Sequence, residues 1–397
     1  MKLPLRVGVV GLGDICDVYI HNLQRYPQLV TVTACAARGL EKAQAKAAQH
    51  GIPKPYADAE ALIADPDIDM VLNLTPPDAH FALNLAALEA GKHVYSEKPL
   101  AASFAEAQQL LQTAQRKGLR QGCAPDTFMG GRLQTCRKLL DAGVIGELVG
   151  VSAFMAYRGV ESFHPTPDFF YQPGAGPLLD MGPYYMSAML SLLGPVDSVC
   201  AMARRSFAQR TISSQPLAGQ TIEVAVDTHV TGNLHFVSGV LGTLITSFDV
   251  LESELPRLEI YGSKGTLCIA DSDPLDGPNL FGGELLLRTE EAYRWGKFPR
   301  IHQDTQWQSV PIEHPFTSTS HADNSRGIGL VDMVLAMQQG REERASGRMA
   351  LHALEVMEGM LTSARERRFV DMQTRFERPL PMGTAFPADE QAMAQGS

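Results

Sequence analysis

A chain of 397 residues is too long for a single hydrophobic core, so two domains are expected. Its formal net charge of −10, with no clustered Lys and Arg, argues against a nucleic-acid partner, and no apolar run approaches the ~20 residues of a membrane span. The N-terminus enters an apolar strand without a charged, apolar, small-residue leader, and the six cysteines lack C-x-x-C spacing, so a cytoplasmic chain with reduced thiols and no metal site is expected.

The first apolar run breaks at Gly11 and Gly13 and continues as a helix from about Asp14. Gly11 allows a tight turn. Gly13 lets backbone N–H groups approach a pyrophosphate at the positive end of that helix, with Asp14 and Ile15 in the same turn. Cys16 stands where a third glycine often sits, and a small residue there still permits close packing of helix on strand. A second strand, residues 30–37, ends at Ala36 and Ala37, where an NAD site places a carboxylate for the ribose 2′-OH. Arg38 follows instead. An arginine in reach accommodates a 2′-phosphate, so NADP is favoured over NAD.

The strand-helix rhythm then repeats. Residues 58–64 read as a helix, 69–74 as a buried strand, 75–80 as a turn, and 81–90 as a helix closed by Gly91 in the left-handed region. The strand at 93–96 delivers Glu97-Lys98-Pro99 at its carboxyl end, the edge at which open parallel sheets bind ligands. Pro99 locks that turn, by its fixed φ or by a cis bond. A helix at 104–117 and a strand at 119–124 complete a doubly wound parallel sheet, an α/β fold.

Gly11-Leu-Gly13, Asn73-x-Thr75-Pro76-x-x-x-His80, Ala90-Gly-Lys-His-Val94 and Glu97-Lys98-Pro99, in this order and spacing, resemble the glucose-fructose oxidoreductase / inositol dehydrogenase / rhizopine catabolism (Gfo/Idh/MocA) family. The resemblance implies an N-terminal Rossmann domain, residues 1–125, followed by an α+β domain with a large open-faced, mostly antiparallel sheet. It also implies a homodimer or homotetramer formed through that sheet. Lys98 would lie beside the nicotinamide and the reacting hydroxyl, with Thr75, Pro76, His80 and Glu97 completing the cofactor site. Where many members carry Asn and Arg after the last Rossmann strand, this chain has Pro125-Asp126-Thr127-Phe128. Family contacts at that edge do not transfer, and Asp126 stands as the candidate substrate contact there.

The second domain is expected over residues 126–378. A helix at 130–141 precedes strands at 147–157, 196–203, 227–236, 239–249, 257–261, 266–270 and 284–288, with the hairpin-like spacing of an antiparallel sheet. Residues 174–185 run from glycines into a helix that carries Asp180 and Tyr184 four apart, on one face. This stretch resembles the family's D-x-G-x-H segment with tyrosine in the histidine position. By that resemblance Tyr184 exchanges a proton with the substrate hydroxyl and Asp180 holds the sugar or tunes Lys98. The chemistry needs such a set, because oxidising a secondary alcohol removes a proton from oxygen as hydride leaves carbon, and a nearby ammonium makes a phenol a better acceptor.

Arg158 and His164, in an aromatic loop between strand and helix, are candidates for binding substrate hydroxyls. His321, before a helix at 327–339, is a weaker candidate that fits helix capping as well. Residues 206–220 read as a polar mobile loop. Residues 350–365 read as a helix and 379–397 as a loosely held tail. The expected activity is an NAD(P)-dependent oxidoreductase acting on a sugar, sugar derivative or cyclic polyol. The rival readings are a glycoside hydrolase that retains NAD and oxidises transiently, and a non-catalytic nucleotide or sugar sensor.

Overall fold

Strands β1 (Leu5–Val10) and β4 (Met70–Asn73) are buried along nearly their whole length, the pattern of a parallel sheet with no solvent face. The computed structural model describes residues 2–270, 279–289, 306–318 and 324–395. In chain order the first elements are β1, α1 (Cys16–Gln24), β2 (Val30–Ala36), α2 (Leu40–His50), β3 (Lys54–Tyr56), α3 (Ala59–Ala64), β4, α4 (His80–Glu89), β5 (His93–Ser96), α5 (Phe104–Lys117) and β6 (Gln121–Cys123). Local chemistry marks their ends. Asp58 caps α3 by accepting from the Ala61 N–H at 2.8 Å, and Gly118 closes α5 in the left-handed region at φ 65°.

These strands form one parallel sheet in the order β3-β2-β1-β4-β5-β6. The order reverses between β1 and β4, and the crevice outside the carboxyl ends of those strands is the ligand position of an open α/β sheet. The loops that begin at Gly11 and Thr75 leave from this point.

The second run comprises α6 (Gly131–Asp141), β7 (Leu148–Ala156), α7 (Pro177–Asp180), α8 (Gly182–Leu193), β8 (Val196–Arg204), β9 (Gln209–Thr211), β10 (Thr221–Glu223), β11 (His229–Phe236), β12 (Leu241–Ser247), β13 (Leu258–Gly262), β14 (Gly265–Ile269), β15 (Leu285–Thr289) and β16 (Gln308–Ser309). After them come α9 (Ile328–Gln339), α10 (Gly347–Glu366), β17 (Val370–Asp371) and α11 (Ala388–Gln395). A nine-stranded sheet runs β16-β15-β14-β13-β7-β12-β11-β8-β17, antiparallel except for the β7–β12 pair. On one face a Cβ at Gly232 of β11 would lie 2.5 Å from Met360, so the later part of α10 seats directly on the sheet. On the other face apolar side chains stand in solvent, Met202 at 80 % and Leu241 at 63 % exposure.

The chain divides into two compact units: Met1–Gly130 with Ser320–Leu354 and Met382–Ser397, and Gly131–Thr319 with Glu355–Pro381. This differs from the boundary expected at residue 126, since Asp126 lies in the first unit. The stretch expected to be a loose tail is held in place. Phe386 is buried, and Glu390 pairs with Arg344 at 2.5 Å and with Arg341 at 3.2 Å, while both arginines also reach the buried Asp332 of α9. Within residues 206–220, expected to be a mobile loop, Gln209–Thr211 form β9, which pairs with β10 just beyond the stretch. All six cysteines are free thiols. Among the described residues no helix is long and apolar enough to cross a membrane.

Candidate active site

The turn after β1 is built around two glycines with different jobs. Gly11 sits at φ 92°, and a Cβ there would lie 2.5 Å from the Leu74 carbonyl carbon, so the turn after β4 lies directly against it. Around Gly13 a Cβ would meet nothing within 4 Å, which leaves the approach to the start of α1 open. Cys16, fully buried, opens α1. Asp17 would set a negative charge at this helix end, but it pairs with Lys46 at 2.6 Å and His50 at 2.7 Å. Burial pushes its carboxyl up, and those two partners pull it further down, to about 2. An open turn at a helix N-terminus, with the nearby carboxylate already matched, fits a dinucleotide pyrophosphate. Arg38 is exposed, two residues past the end of β2.

Lys98 follows β5, and the main chain is tied on both sides of it. The buried Glu97 carboxylate accepts the Lys98 backbone N–H through Oε2 at 2.8 Å and the Tyr19 hydroxyl through Oε1 at 2.8 Å. On the far side the Lys98–Pro99 bond is cis, and the Pro99 carbonyl lies 2.6 Å from His80 Nδ1. His80 Nε2 lies 2.8 Å from the Thr75 carbonyl. Both neighbours of the ring are acceptors, so both contacts are hydrogen bonds only when both ring nitrogens carry hydrogen. Thr75 is fixed in turn by Asn73, whose Oδ1 accepts the Thr75 N–H at 3.1 Å and hydroxyl at 2.7 Å. The sequence-derived set Gly11, Thr75, His80, Glu97 and Lys98 therefore gathers at the carboxyl ends of β1, β4 and β5. Pro76 follows Thr75 on the exposed side of that turn. His80, expected to face the cofactor, is fully buried and instead braces the turn that presents Lys98.

Asp126 was expected to meet substrate. It is 1 % exposed, and its Oδ2 accepts the N–H groups of Gly327 and Gly329 at 2.9 and 2.8 Å and the Tyr95 hydroxyl at 3.3 Å. Burial raises its carboxyl to about 6, against the pull of the Gly329 N–H. Its geometry is that of an internal anchor for the start of α9. His321 lies outside the described residues.

In the second unit, Asp180 and Tyr184 do not share one helix as the four-residue spacing implied. Asp180 ends α7 and Tyr184 lies in the first turn of α8, with a break at Met181. Pro183 is the reason: lacking an N–H, and with a ring that clashes with the carbonyl four residues back, it starts a helix and does not continue one. Tyr184 is 5 % exposed, its ring edge-on to Phe281 at 6.5 Å. Asp180 is half-buried, and Tyr157 is near enough to feel it: burial first, then the Asp180 charge, raises the Tyr157 phenol well above its ordinary range.

Arg158 is exposed, and His164 is half-buried with its ring edge-on to Phe170 at 5.0 Å. The loop carrying them is clamped by a residue that the sequence reading passed over. Arg210, on the β9–β10 hairpin, reaches Glu161 at 2.8 Å through Nε, Asp249 at 2.8 Å through Nη1 and the Phe248 carbonyl at 2.8 Å through Nη2. Tyr171 donates to the same Glu161. Nothing local marks Arg210, because its partners lie 49, 39 and 38 residues away.

The description "Oxidoreductase family, NAD-binding Rossmann fold" matches residues 5–124, and "GFO/IDH/MocA C-terminal domain" matches residues 133–268. This chain belongs to the Gfo/Idh/MocA oxidoreductase family. It is similar to trans-1,2-dihydrobenzene-1,2-diol dehydrogenase of Bos taurus, 30 % identical over 272 residues that span 68 % of this chain and 75 % of that one. It is also similar to D-glucoside 3-dehydrogenase of Escherichia coli, 30 % identical over 276 residues, 66 % of this chain and 76 % of that one. Among solved structures, an NAD binding oxidoreductase from Klebsiella pneumoniae superposes with TM-score 0.78 over 94 % of this chain and 100 % of that one at 23 % identity. Levoglucosan dehydrogenase in complex with NADH and L-sorbose gives TM-score 0.75 over 93 % of this chain and 99 % of that one at 20 % identity. Gfo/Idh/MocA membership thus covers both units, and the likeness to solved members extends over nearly the whole fold.

Proposed function

We propose that this protein transfers hydride between NADP or NAD and a secondary alcohol or ketone of a sugar, sugar derivative or cyclic polyol. The observation that carries the reading is the Lys98 turn at the carboxyl end of β5, tied by Glu97 before it and by His80 after it. A charged group in so constrained a turn suits the placing of one substrate oxygen. In this reading Lys98 polarises the reacting oxygen, Tyr184 takes its proton and Asp180 orients the substrate, with Arg158 and His164 binding other hydroxyls. The bound dinucleotide supplies the hydride acceptor. Gly11, Gly13, Asp14 and Ile15 line its phosphate turn. Arg38, with no carboxylate at the end of β2, favours NADP. The substrate class is supported by relatives named for a cyclic diol and a glucoside. The exposed face carrying Met202 and Leu241 supports association with a second copy, since a patch of that kind in water favours burial.

The test is the rise of reduced-nicotinamide absorbance with NADP and with NAD over monosaccharides, glycosides, anhydrosugars, cyclic diols and inositols. A rise with one of these establishes the class. Lys98→Met and Tyr184→Phe are then expected to lose roughly a hundredfold or more in kcat, the scale of lost proton transfer. Unchanged turnover in both sinks the site assignment.

A further inference from the structure

We propose that Tyr19 is a positioning residue for Lys98, acting through Glu97. Tyr19 stands on α1, the helix that opens at the phosphate turn, and is fully buried. Its hydroxyl makes one hydrogen bond among the described residues, to Glu97 Oε1 at 2.8 Å. The other oxygen of that carboxylate takes the Lys98 N–H at 2.8 Å, and the Glu97 N–H itself donates to the Asn73 carbonyl at 2.8 Å. A carboxylate with a fixed donor on each oxygen is held in one orientation. The place of α1 is thereby passed to the peptide that carries Lys98.

The surroundings explain why the hydroxyl matters. The groups whose charges bear on Tyr19 are Glu97, Asp126, Tyr95 and Arg326. Glu97 shares this buried space with a second carboxylate, Asp126, whose own charge it makes more costly. Without the Tyr19 hydroxyl, Glu97 Oε1 becomes a buried acceptor with one donor fewer, a costly state that the side chain relieves by turning. That rotation weakens its hold on the Lys98 N–H. A phenylalanine at position 19 fills the same ring volume, so the hydroxyl is tested apart from the packing.

The test compares wild type, Tyr19→Phe, Glu97→Gln and the double variant. The first readout needs no turnover: trinitrophenylation of the Lys98 amine, followed by peptide mass spectrometry at fixed pH. The second is the split between kcat and KM on a substrate that turns over in the panel assay, with dinucleotide affinity measured by fluorescence. Tyr19→Phe is expected to label Lys98 roughly threefold faster and to lower kcat roughly tenfold, with KM and dinucleotide affinity within about twofold. In the Glu97→Gln background the same change should add nothing, because the two residues act as one path.

Wild-type labelling and kcat in Tyr19→Phe overturn the proposal, as does an equal loss in both backgrounds. If Tyr19→Phe does not fold, Glu97→Gln decides alone, and unchanged labelling overturns it. The kinetic arm rests on Lys98 as the group that polarises the reacting oxygen. Lys98→Met keeps the two failures apart: normal turnover there defeats that reading, while the labelling result still judges Tyr19.

Discussion

The ring of His80 and the carbonyl of Pro99 meet at 2.6 Å, nineteen residues apart in sequence and on opposite sides of the Lys98 turn. With its second nitrogen on the Thr75 carbonyl, the ring ties the turn after β4 to the turn after β5. His80→Ala removes both ring contacts and leaves a void in a fully buried position. The expected loss is roughly 2–4 kcal/mol, from unsatisfied acceptors and the cavity together. Urea unfolding measures it, and an unchanged midpoint means the ring is not a brace.

Asp126 makes a pH prediction whose sign is fixed by burial. Its carboxyl rises from 3.8 to about 6 in the fold, so the folded protein binds a proton that the unfolded chain has already released. That stability is fully present below the unfolded value and is lost as pH rises from about 4 through 6. A shift of this size corresponds to about 3 kcal/mol as an upper bound. Many other groups titrate in the same window, so the comparison is the difference between wild type and Asp126→Asn. The variant should lack this downward slope between pH 4 and 6. Parallel curves for the two proteins would show that Asp126 ionises alike in both states.

The parts of the fold that were legible are those whose signal is local. The runs through β1 and β4 are apolar because both faces are buried, and Gly11 and Gly91 both hold the positive φ that their positions require. The Lys98 turn was legible for the same reason, since strand, acid, lysine and proline are consecutive. What was not legible depends on distant partners. Asp126 looked like a substrate contact until Gly327 and Gly329 were found on its carboxylate, two hundred residues on. The final stretch is rich in Pro, Ala and Gly, yet Arg341 and Arg344 hold it through Glu390. Asp180 and Tyr184, four apart in sequence, suggested one helical face, but Pro183 divides the helix between them.

Arg210 should be the most sensitive of these distant contacts. It is the shared partner of Glu161 and Asp249, and all three side chains are less than 10 % exposed. Arg210→Met keeps much of the side-chain volume and leaves two buried carboxylates without their cation. Breaking a buried pair in this way typically costs about 3–5 kcal/mol. Because the loop bearing Arg158 and His164 hangs from Glu161, KM should rise more than kcat falls. Thermal unfolding and steady-state kinetics check the two halves separately. A variant as stable as wild type would mean that the hairpin does not clamp the loop.

Arg38 gives the test of cofactor choice. It is exposed, it lies two residues past the end of β2, and Gly39 at φ 105° turns the chain straight into α2. A 2′-phosphate carries charge that an arginine meets through paired hydrogen bonds, whereas a bare ribose hydroxyl gains little from the same group. Arg38→Ala should therefore raise KM for NADP by roughly tenfold and leave KM for NAD within about twofold. Arg38→Asp goes further, because a carboxylate repels the phosphate and accepts from the hydroxyl, so the preference should invert. Raising the salt concentration should weaken NADP binding in the wild type more than in either variant, since an exposed charge pair is screened. If both variants keep the wild-type ratio of NADP to NAD, Arg38 does not read the phosphate, and the discriminating group lies elsewhere around the end of β2.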